Sequence, residues 1–171
     1  MCPLLYIFSG LPGTGKTELS RYLARHIGAL YLRIDTIEQS LKDQHIKDIY
    51  DHGYQIGFAL ALDNLKLGQA VVADSVNPVI ASRLGWHNVA TKAGVPFVDI
   101  EIVCSDEQEH QTRVENRASD IATLKLPRWS DIAQREYHPW TESRILIDTA
   151  GRAPEQSKEE LIRALQLLSS I

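Results

Sequence analysis

Cysteine is scarce in this chain, and it has no long apolar run. The 171 residues include two cysteines, Cys2 and Cys104, which lie far apart and form no Cys-x-x-Cys pair. Neither a disulfide framework nor a cysteine-based zinc site is therefore indicated. No stretch is apolar for long enough to cross a membrane, and no signal peptide is evident, so we expect a cytoplasmic protein.

Positive charge is also in short supply. Eighteen lysines and arginines stand against 22 aspartates and glutamates, which gives a formal net charge of −4. Such a balance provides no general attraction to phosphate polymers, and the sequence reveals no local basic groove that would supply one. The six histidines show no metal-ligand spacing. The charge balance weighs against a nucleic-acid substrate, and the histidine spacing weighs against a histidine metal site.

A glycine-rich loop is the most informative feature that is present. Its pattern is Gly-x-x-x-x-Gly-Lys-Thr, between an apolar strand at residues 4–8 and a helical pattern that follows. The glycines let backbone N–H groups turn toward an anion, and the helix directs its positive end at the same point. We therefore predict a nucleoside triphosphate site. Its residues are Gly10, Leu11, Pro12, Gly13, Thr14, Gly15, Lys16 and Thr17.

Strand-like and helical patterns alternate along the rest of the chain. Strands are expected near residues 29–34, 70–74, 97–103 and 144–147, with helices near 36–41, 56–65, 79–93 and 154–168. Ser105 is expected to cap a further helix. This alternation predicts one α/β domain over residues 1–171, a three-layer sandwich with a parallel sheet between helices.

Two aspartates are expected at the carboxyl ends of strands, where the active sites of α/β proteins gather. Asp35 is a candidate general base that would accept the proton of an acceptor hydroxyl, although it could instead cap a helix that begins at Thr36. Asp74 is a candidate for organising Mg²⁺ together with Thr17, although it could instead cap the turn at residues 75–78.

Two motifs that are absent near these residues narrow the possible classes of nucleotide-binding protein. The residue after Asp74 is Ser75, whereas many motor ATPases have a water-activating Glu there, and no Asn-Lys-x-Asp sequence for guanine recognition is present. These absences argue against an energy-coupling ATPase and against a GTPase switch.

Arg113 and Arg117 are spaced four residues apart, which places them on one face of a predicted helix. Because an irregular segment follows them, we expect a lid over about residues 113–140 whose arginines close over the transferred phosphate. The alternative is a solvated face on which they pair with Glu109, Glu115 or Asp120.

Aromatic residues are concentrated in and near this irregular segment. Trp129, Tyr137 and Trp140 either wall a substrate cavity or pin the segment to the core, while Trp86 is expected to pack on its own helix. The polar stretch from Asp43 to Tyr54 follows the proposed base and is the expected source of acceptor specificity.

Taken together, these motifs resemble the small P-loop kinases, a group that includes chloramphenicol phosphotransferases, gluconate kinases, zeta toxins and the kinase domain of phage polynucleotide kinase. Within it the chain is most similar to bacterial proteins described as AAA-type ATPases or as kinases, which share its segments at residues 33–39, 73–78 and 147–151. The resemblance implies a sheet order of 2-3-1-4-5, ATP as the donor, Mg²⁺, an arginine-bearing lid and an acceptor base at Asp35. It also implies, from position alone, that Thr149, Gly151 and Arg152 border the adenine.

We therefore expect an ATP-dependent kinase that acts on a hydroxyl of a small molecule. The alternatives are a nucleotide-dependent regulatory protein with slow ATPase activity and a kinase for polynucleotide 5′ ends. The substrate signatures of chloramphenicol kinases and zeta toxins are missing between Asp35 and Gly68. The acceptor and the oligomeric state are left open by the sequence.

Overall fold

A five-stranded parallel sheet forms the centre of the part of the chain that the computed structural model describes, residues 4–169. The strands are β1 (Leu5–Ser9), β2 (Leu30–Arg33), β3 (Val71–Asp74), β4 (Phe97–Val103) and β5 (Ile145–Asp148). Their spatial order is β2-β3-β1-β4-β5, and all neighbouring pairs are parallel. This order confirms the expected fold.

Helices cover both faces of the sheet. They are α1 (Lys16–Ile27), α2 (Ile34–Asp43), α3 (His52–Lys66), α4 (Ile80–Ala93), α5 (Glu107–Asn116), α6 (Trp129–Ala133) and α7 (Pro154–Ser169). No helix within the described residues is long and apolar enough to cross a membrane.

The core consists of two apolar clusters, one on each face of the sheet. Leu5 and Ile7 of β1 point to the face covered by α3 and α4, whereas Phe8 points to the face covered by α1 and α7. This division follows from the alternation of side chains along a strand. Trp86 of α4 is fully buried in the first cluster, as expected for a packing residue.

Parallel strands bring their carboxyl ends to one edge of the sheet. Asp74, at the end of β3, is in register with Phe8 of β1 on one side and with Arg33 of β2 on the other. Since β1 lies where the strand order reverses, its carboxyl end opens onto the position at which α/β sheets bind ligands. The glycine-rich loop begins directly after β1.

Two helix boundaries differ from the sequence-based expectation. Helix α2 begins at Ile34, immediately after β2, so the N-cap is Arg33 and not Asp35. The N-cap of α5 is Asp106 and not Ser105, because the Asp106 carboxylate accepts a 2.9 Å hydrogen bond from the backbone N–H of Glu109. Ser105 instead donates its backbone N–H to Asp148, at 3.0 Å.

Candidate active site

The glycine-rich loop is packed tightly against its neighbours. A Cβ atom at Gly10 would collide with the backbone carbonyl of Ile102 on β4, and one at Gly13 would lie 2.5 Å from Val114 Cγ2 on α5. Both glycines also have positive φ angles, of 143° and 87°. Glycine is therefore required at both positions by close approach as well as by backbone conformation.

Residues outside the loop hold its shape through hydrogen bonds. The Thr149 hydroxyl, just after β5, donates to the carbonyl of Thr14 at 2.7 Å, and the Thr14 hydroxyl donates to the carbonyl of Leu11 at 2.9 Å. His110 Nε2 of α5 lies 2.9 Å from the carbonyl oxygen of Pro12, so this nitrogen carries the hydrogen. The loop is thus held in shape by α5 and by the segment after β5.

The first turn of α1 fits a phosphate group. Its N-cap, Gly15, has a left-handed backbone and provides no side-chain cap, and Lys16 and Thr17 follow it as the first helical residues. A helix N-terminus without a side-chain cap presents backbone N–H donors and the positive end of the helix dipole. The predicted loop residues therefore form an anion cradle at the carboxyl end of β1.

Lys16 and Asp74 form a buried ion pair beneath this cradle. Their side chains are 7% and 0% exposed, and the Tyr31 hydroxyl donates to Asp74 Oδ2 at 2.6 Å. Burial alone would raise the pKa of Asp74, but the charge and hydrogen bond of Lys16, with further hydrogen bonds from Tyr31 and Thr17, outweigh it and lower that pKa. Asp74 is therefore ionised at neutral pH.

The donors around Asp74 fit a magnesium ion that takes few protein ligands. The Thr17 hydroxyl is close enough to help lower the pKa of Asp74, which places the two predicted magnesium residues side by side. No group of three or more His, Cys, Asp and Glu side chains among residues 4–169 is arranged to hold a metal without further ligands. One carboxylate and one hydroxyl, completed by phosphate oxygens and water, is the donor set that Mg²⁺ favours in nucleotide sites.

Asp35 is half-buried in the first turn of α2 and lines the larger of two cavities that border the glycine-rich loop, here called the largest cavity. Glu38 follows one helical turn later and lines the same cavity. Burial, and then the charge of nearby Asp35, raises the pKa of Glu38. Two interacting carboxylates thus face this cavity, of which the sequence indicated only the first.

Arg113 and Arg117 reach different surroundings, although they are four residues apart at the end of α5. Helix α5 ends at Asn116, and Arg117 has the extended backbone angles φ −74° and ψ 145°. Arg113 donates to the Thr149 hydroxyl at 2.8 Å and to the Thr149 carbonyl at 2.9 Å, and it also pairs with Glu109 at 2.5 Å. Arg113 is therefore fixed between α5 and the segment after β5.

Arg117 lies on the other side, beside the candidate base. It is half-buried and lines the largest cavity with Asp35. Burial lowers the pKa of Arg117, the charge of Asp35 opposes that shift, and the like charge of Arg33 adds to it. Of the two predicted lid arginines, Arg117 is the one that this cavity brings together with Asp35 and Lys16.

The largest cavity has a volume of about 990 Å³ and runs from the glycine-rich loop to the irregular segment after α5. Lys16, Thr17 and Asp35 line it together with Arg33 and Arg117. In total, ten lysines and arginines but five aspartates and glutamates contribute to its lining. A local basic cavity is thus present, although the sequence revealed none.

A second cavity of about 360 Å³ lies on the other side of the loop. Gly13 and Gly15 line it, together with Arg113, Thr149 and Arg152. Two of the three residues that resemblance placed near the adenine therefore border a cavity that adjoins the phosphate cradle. Gly151 does not line it and donates its N–H to Glu109 at 2.8 Å.

The aromatic residues of the irregular segment pin it to the core. Trp129 packs edge-on against His110, and Trp140 donates its indole N–H to the Tyr137 hydroxyl at 3.2 Å. Tyr137 in turn donates to Glu101 of β4, at 3.1 Å. None of the three aromatic residues lines either described cavity.

The stretch from Asp43 to Tyr54 also stays outside both described cavities. Most of its side chains are exposed, and the Tyr54 hydroxyl accepts a hydrogen bond from the backbone N–H of Asn77 at 3.1 Å. Its last residue nevertheless lies near the site, because Tyr54 interacts electrostatically with Glu38 and Asp35.

Comparison with protein families gives a match over most of the chain. A model of the AAA domain family matches residues 5–136, which include the glycine-rich loop and the first four strands. The chain belongs to this AAA domain family. The comparison with curated proteins gives no match.

Solved structures share the fold of this AAA domain over nearly the whole chain. A suspected kinase from Chloroflexus aurantiacus is 20% identical, with a TM-score of 0.74 and 98% of each chain covered. A gluconokinase from Sinorhizobium meliloti is 16% identical, with a TM-score of 0.69 and coverage of 99% of this chain and 95% of that one. The APS kinase of Mycobacterium tuberculosis in complex with AMPPNP and APS is 15% identical, with a TM-score of 0.65 and coverage of 96% and 98%. The fold is thus that of small P-loop kinases.

Several site residues were missed in the sequence. His110 contacts the glycine-rich loop. Glu38 lines the same cavity as Asp35, and so does Arg33, which is the last residue of β2. Only Glu38 carried a usable signal, because a residue three positions after Asp35 lies on the same face of a helix. The other two lie near the site because of how the strands and α5 are arranged.

Proposed function

We propose that this protein is an ATP-dependent phosphotransferase that moves the γ-phosphate to a hydroxyl group of a small molecule. The observation that carries the proposal is that Lys16, Thr17 and Asp35 line one cavity. Its volume of about 990 Å³ suits a phosphate chain together with a small acceptor. The fold, shared with kinases, supports the same reaction class.

In this proposal the loop holds the phosphates of ATP. The backbone N–H groups at the start of α1 bind phosphate oxygens. Lys16, which pairs with Asp74, also interacts with the outer phosphates. Thr17 and Asp74 would hold Mg²⁺, which when bound neutralises phosphate charge. The adenosine would occupy the smaller cavity, next to Thr149 and Arg152.

Asp35 acts at the acceptor. The acceptor oxygen forms a bond to the γ-phosphorus while the bond from that phosphorus to the β-bridging oxygen breaks, and ADP leaves. The acceptor proton passes to the Asp35 carboxylate, which needs the hydroxyl within hydrogen-bonding distance. Arg117 lies close enough to Asp35 to stabilise negative charge on the transferred group. Arg113 is assigned a supporting part, because its contacts hold Thr149 at the smaller cavity.

The test is ATP consumption with Mg²⁺ and pooled sugars, nucleosides, amino alcohols and organic acids. We expect one pool to stimulate turnover and Asp35→Asn to lower the stimulated rate about 10²–10⁴-fold. ATP affinity should change less than about twofold in that variant, because Asp35 contacts the acceptor and not the donor. Lys16→Ala should lose ATP binding itself. Arg163→Gln, an exposed position on α7 outside both cavities, is the control.

Two results would overturn the proposal. One is a slow ATP hydrolysis that no pool stimulates and that Asp35→Asn leaves unchanged, which is the behaviour of a nucleotide-dependent regulatory protein. The other is stimulation only by polynucleotide ends, which would make nucleic acid the acceptor.

A further inference from the structure

The charge of the largest cavity is opposite to that of the chain. The ten lysines and arginines in its lining are more than half of the 18 in the sequence, and they exceed the lining carboxylates by five. The whole chain has a net charge of −4. A phosphate chain at Lys16 occupies one end of this cavity, whereas the cations continue beyond Asp35 to Arg33, Arg117 and the irregular segment.

Arg33 is the most deeply placed of these cations on the acceptor side. Its side chain is only 10% exposed, and Nη1 donates to both oxygens of Asp120, at 2.9 and 3.0 Å. Its Nε is buried and has no hydrogen-bond partner within the described residues. A buried guanidinium nitrogen without a partner costs free energy, so its retention beside a cavity points to a ligand.

Arg117, at the end of α5, also has a guanidinium nitrogen that is unpartnered among residues 4–169. Its Nε is also buried without a hydrogen-bond partner in the described part of the chain. The two guanidinium groups are close enough to interact electrostatically, and Asp35 is close to Arg117. Asp120 and Asp35 offset part of the repulsion between these two like charges, and an anion bound between the guanidinium groups would offset it further.

We propose that Arg33 and Arg117 form an anion subsite for the acceptor, which is therefore a small molecule that carries a phosphate or carboxylate group in addition to its reacting hydroxyl. Guanidinium groups match both anions with paired N–H donors. This inference rests on the proposed function, because Asp35 marks the acceptor side of the cavity.

The enclosure of the subsite favours a small molecule over a polymer. Arg33 lies at the end of β2 beneath the segment after α5, and Asp120 of that segment covers its Nη1. A cavity of about 990 Å³ that must also contain the phosphates of ATP leaves room for a compact acceptor. The Asp120 carboxylate pairs with Arg33 and Arg21. It therefore occupies part of the site that the anionic group of an acceptor would bind.

The experiment measures anion binding by calorimetry with the loop already filled. The full chain is saturated with AMPPNP and Mg²⁺, and glycerol, glycerol 3-phosphate, glycerate or sodium sulfate is then titrated. We expect glycerol 3-phosphate and at least one other anion to bind, whereas glycerol does not. Arg33→Gln should weaken that binding about tenfold or more, since it removes a charge-assisted hydrogen bond.

Two controls separate ligand binding from a structural role. Asp120→Asn removes the partner of Arg33 but keeps the arginine, so it should leave anion binding equal or tighter. Arg163→Gln makes the same charge change outside the cavities and should have no effect. If Arg33→Gln does not fold, as judged by thermal unfolding, Arg33→Lys provides the test, because it keeps the charge but loses the paired N–H donors of the guanidinium group.

Three outcomes would overturn the inference. In the first, no anion binds once AMPPNP fills the loop, and Arg33→Gln weakens AMPPNP instead, which would assign Arg33 as well as Arg117 to the γ-phosphate. In the second, Arg33→Gln and Asp120→Asn weaken anion binding equally. In the third, only a short single-stranded oligonucleotide binds. Because the readout is binding, these outcomes leave acceptor-dependent ATP turnover, and with it the proposed function, to be judged separately.

Discussion

Lys16 and Asp74 neutralise each other at the point where a triphosphate needs the lysine. The pair is almost completely buried, and Tyr31 and Thr17 add hydrogen bonds to the carboxylate. A buried carboxylate that loses its partner is left as an uncompensated charge. The pair therefore stabilises the fold as well as preparing the site, and the two roles can be separated by pH.

Asp74→Asn should lower the free energy of unfolding by about 3 kcal/mol at neutral pH, because it leaves Lys16 without its charged partner. The folded-state pKa of Asp74 lies below its ordinary value of about 3.9. Its stabilisation is therefore fully present above that ordinary value and is lost as pH falls through the lower folded value. The gap between wild type and variant should shrink in that acid range.

Urea unfolding over a pH series measures this gap. Asp63→Asn, at an exposed position on α3, is the matched control and should show no such gap. A difference between wild type and Asp74→Asn that stays constant down to the lowest pH would contradict the account.

At the scale of elements, one arginine makes several of the contacts that hold the segment after α6 to the core. Arg83 of α4 is 2% exposed and donates to the backbone carbonyls of Asn77, His138 and Pro139, at 3.1, 2.6 and 3.2 Å. Its guanidinium also lies 4.0 Å from the centre of the Trp140 ring. The aromatic cluster of this segment therefore serves to anchor it.

Arg83→Met should lower the free energy of unfolding by about 3 kcal/mol, because three backbone carbonyls, one of them buried, lose a charged donor. Amide hydrogen exchange should also quicken locally over residues 136–140. Lys92→Met, at an exposed position on the same helix, is the control. Unchanged exchange in that segment would show that other contacts hold it.

Whether a segment is a helix or a strand could be predicted from the sequence better than the residues at which it begins and ends. Ser105 and Asp106 are adjacent and both suit an N-cap, so residue type alone could not choose between them. Helix α5 ends without a glycine or proline, and the spacing of Arg113 and Arg117 therefore extended it one residue too far. Arg117 is the C-cap of α5 and lines the cavity of Asp35, whereas Arg113 contacts Thr149.

At the scale of the whole molecule, the parallel three-layer fold and the loop could be predicted from the alternation of strands and helices around a phosphate-binding motif, and the strand order followed from the resemblance to small P-loop kinases. The positive charge of the cavity could not be predicted from the sequence. Arg33 and Lys125 gave no signal in the sequence, and they line one cavity with Arg117 only because β2 and the segment after α5 meet. A chain with net negative charge thus forms a basic cavity by concentrating more than half of its cations there.

The central claim is that phosphate passes from ATP to a hydroxyl in this cavity. The most direct measurement supplies ATP labelled in its γ-phosphate, with Mg²⁺ and the pool that stimulates turnover, and follows the label by mass spectrometry. The account predicts that the label appears on an organic acceptor, that the transfer is lost in Asp35→Asn, and that Arg163→Gln retains it. Release of all the label as inorganic phosphate, at the same rate with and without Asp35, would contradict it.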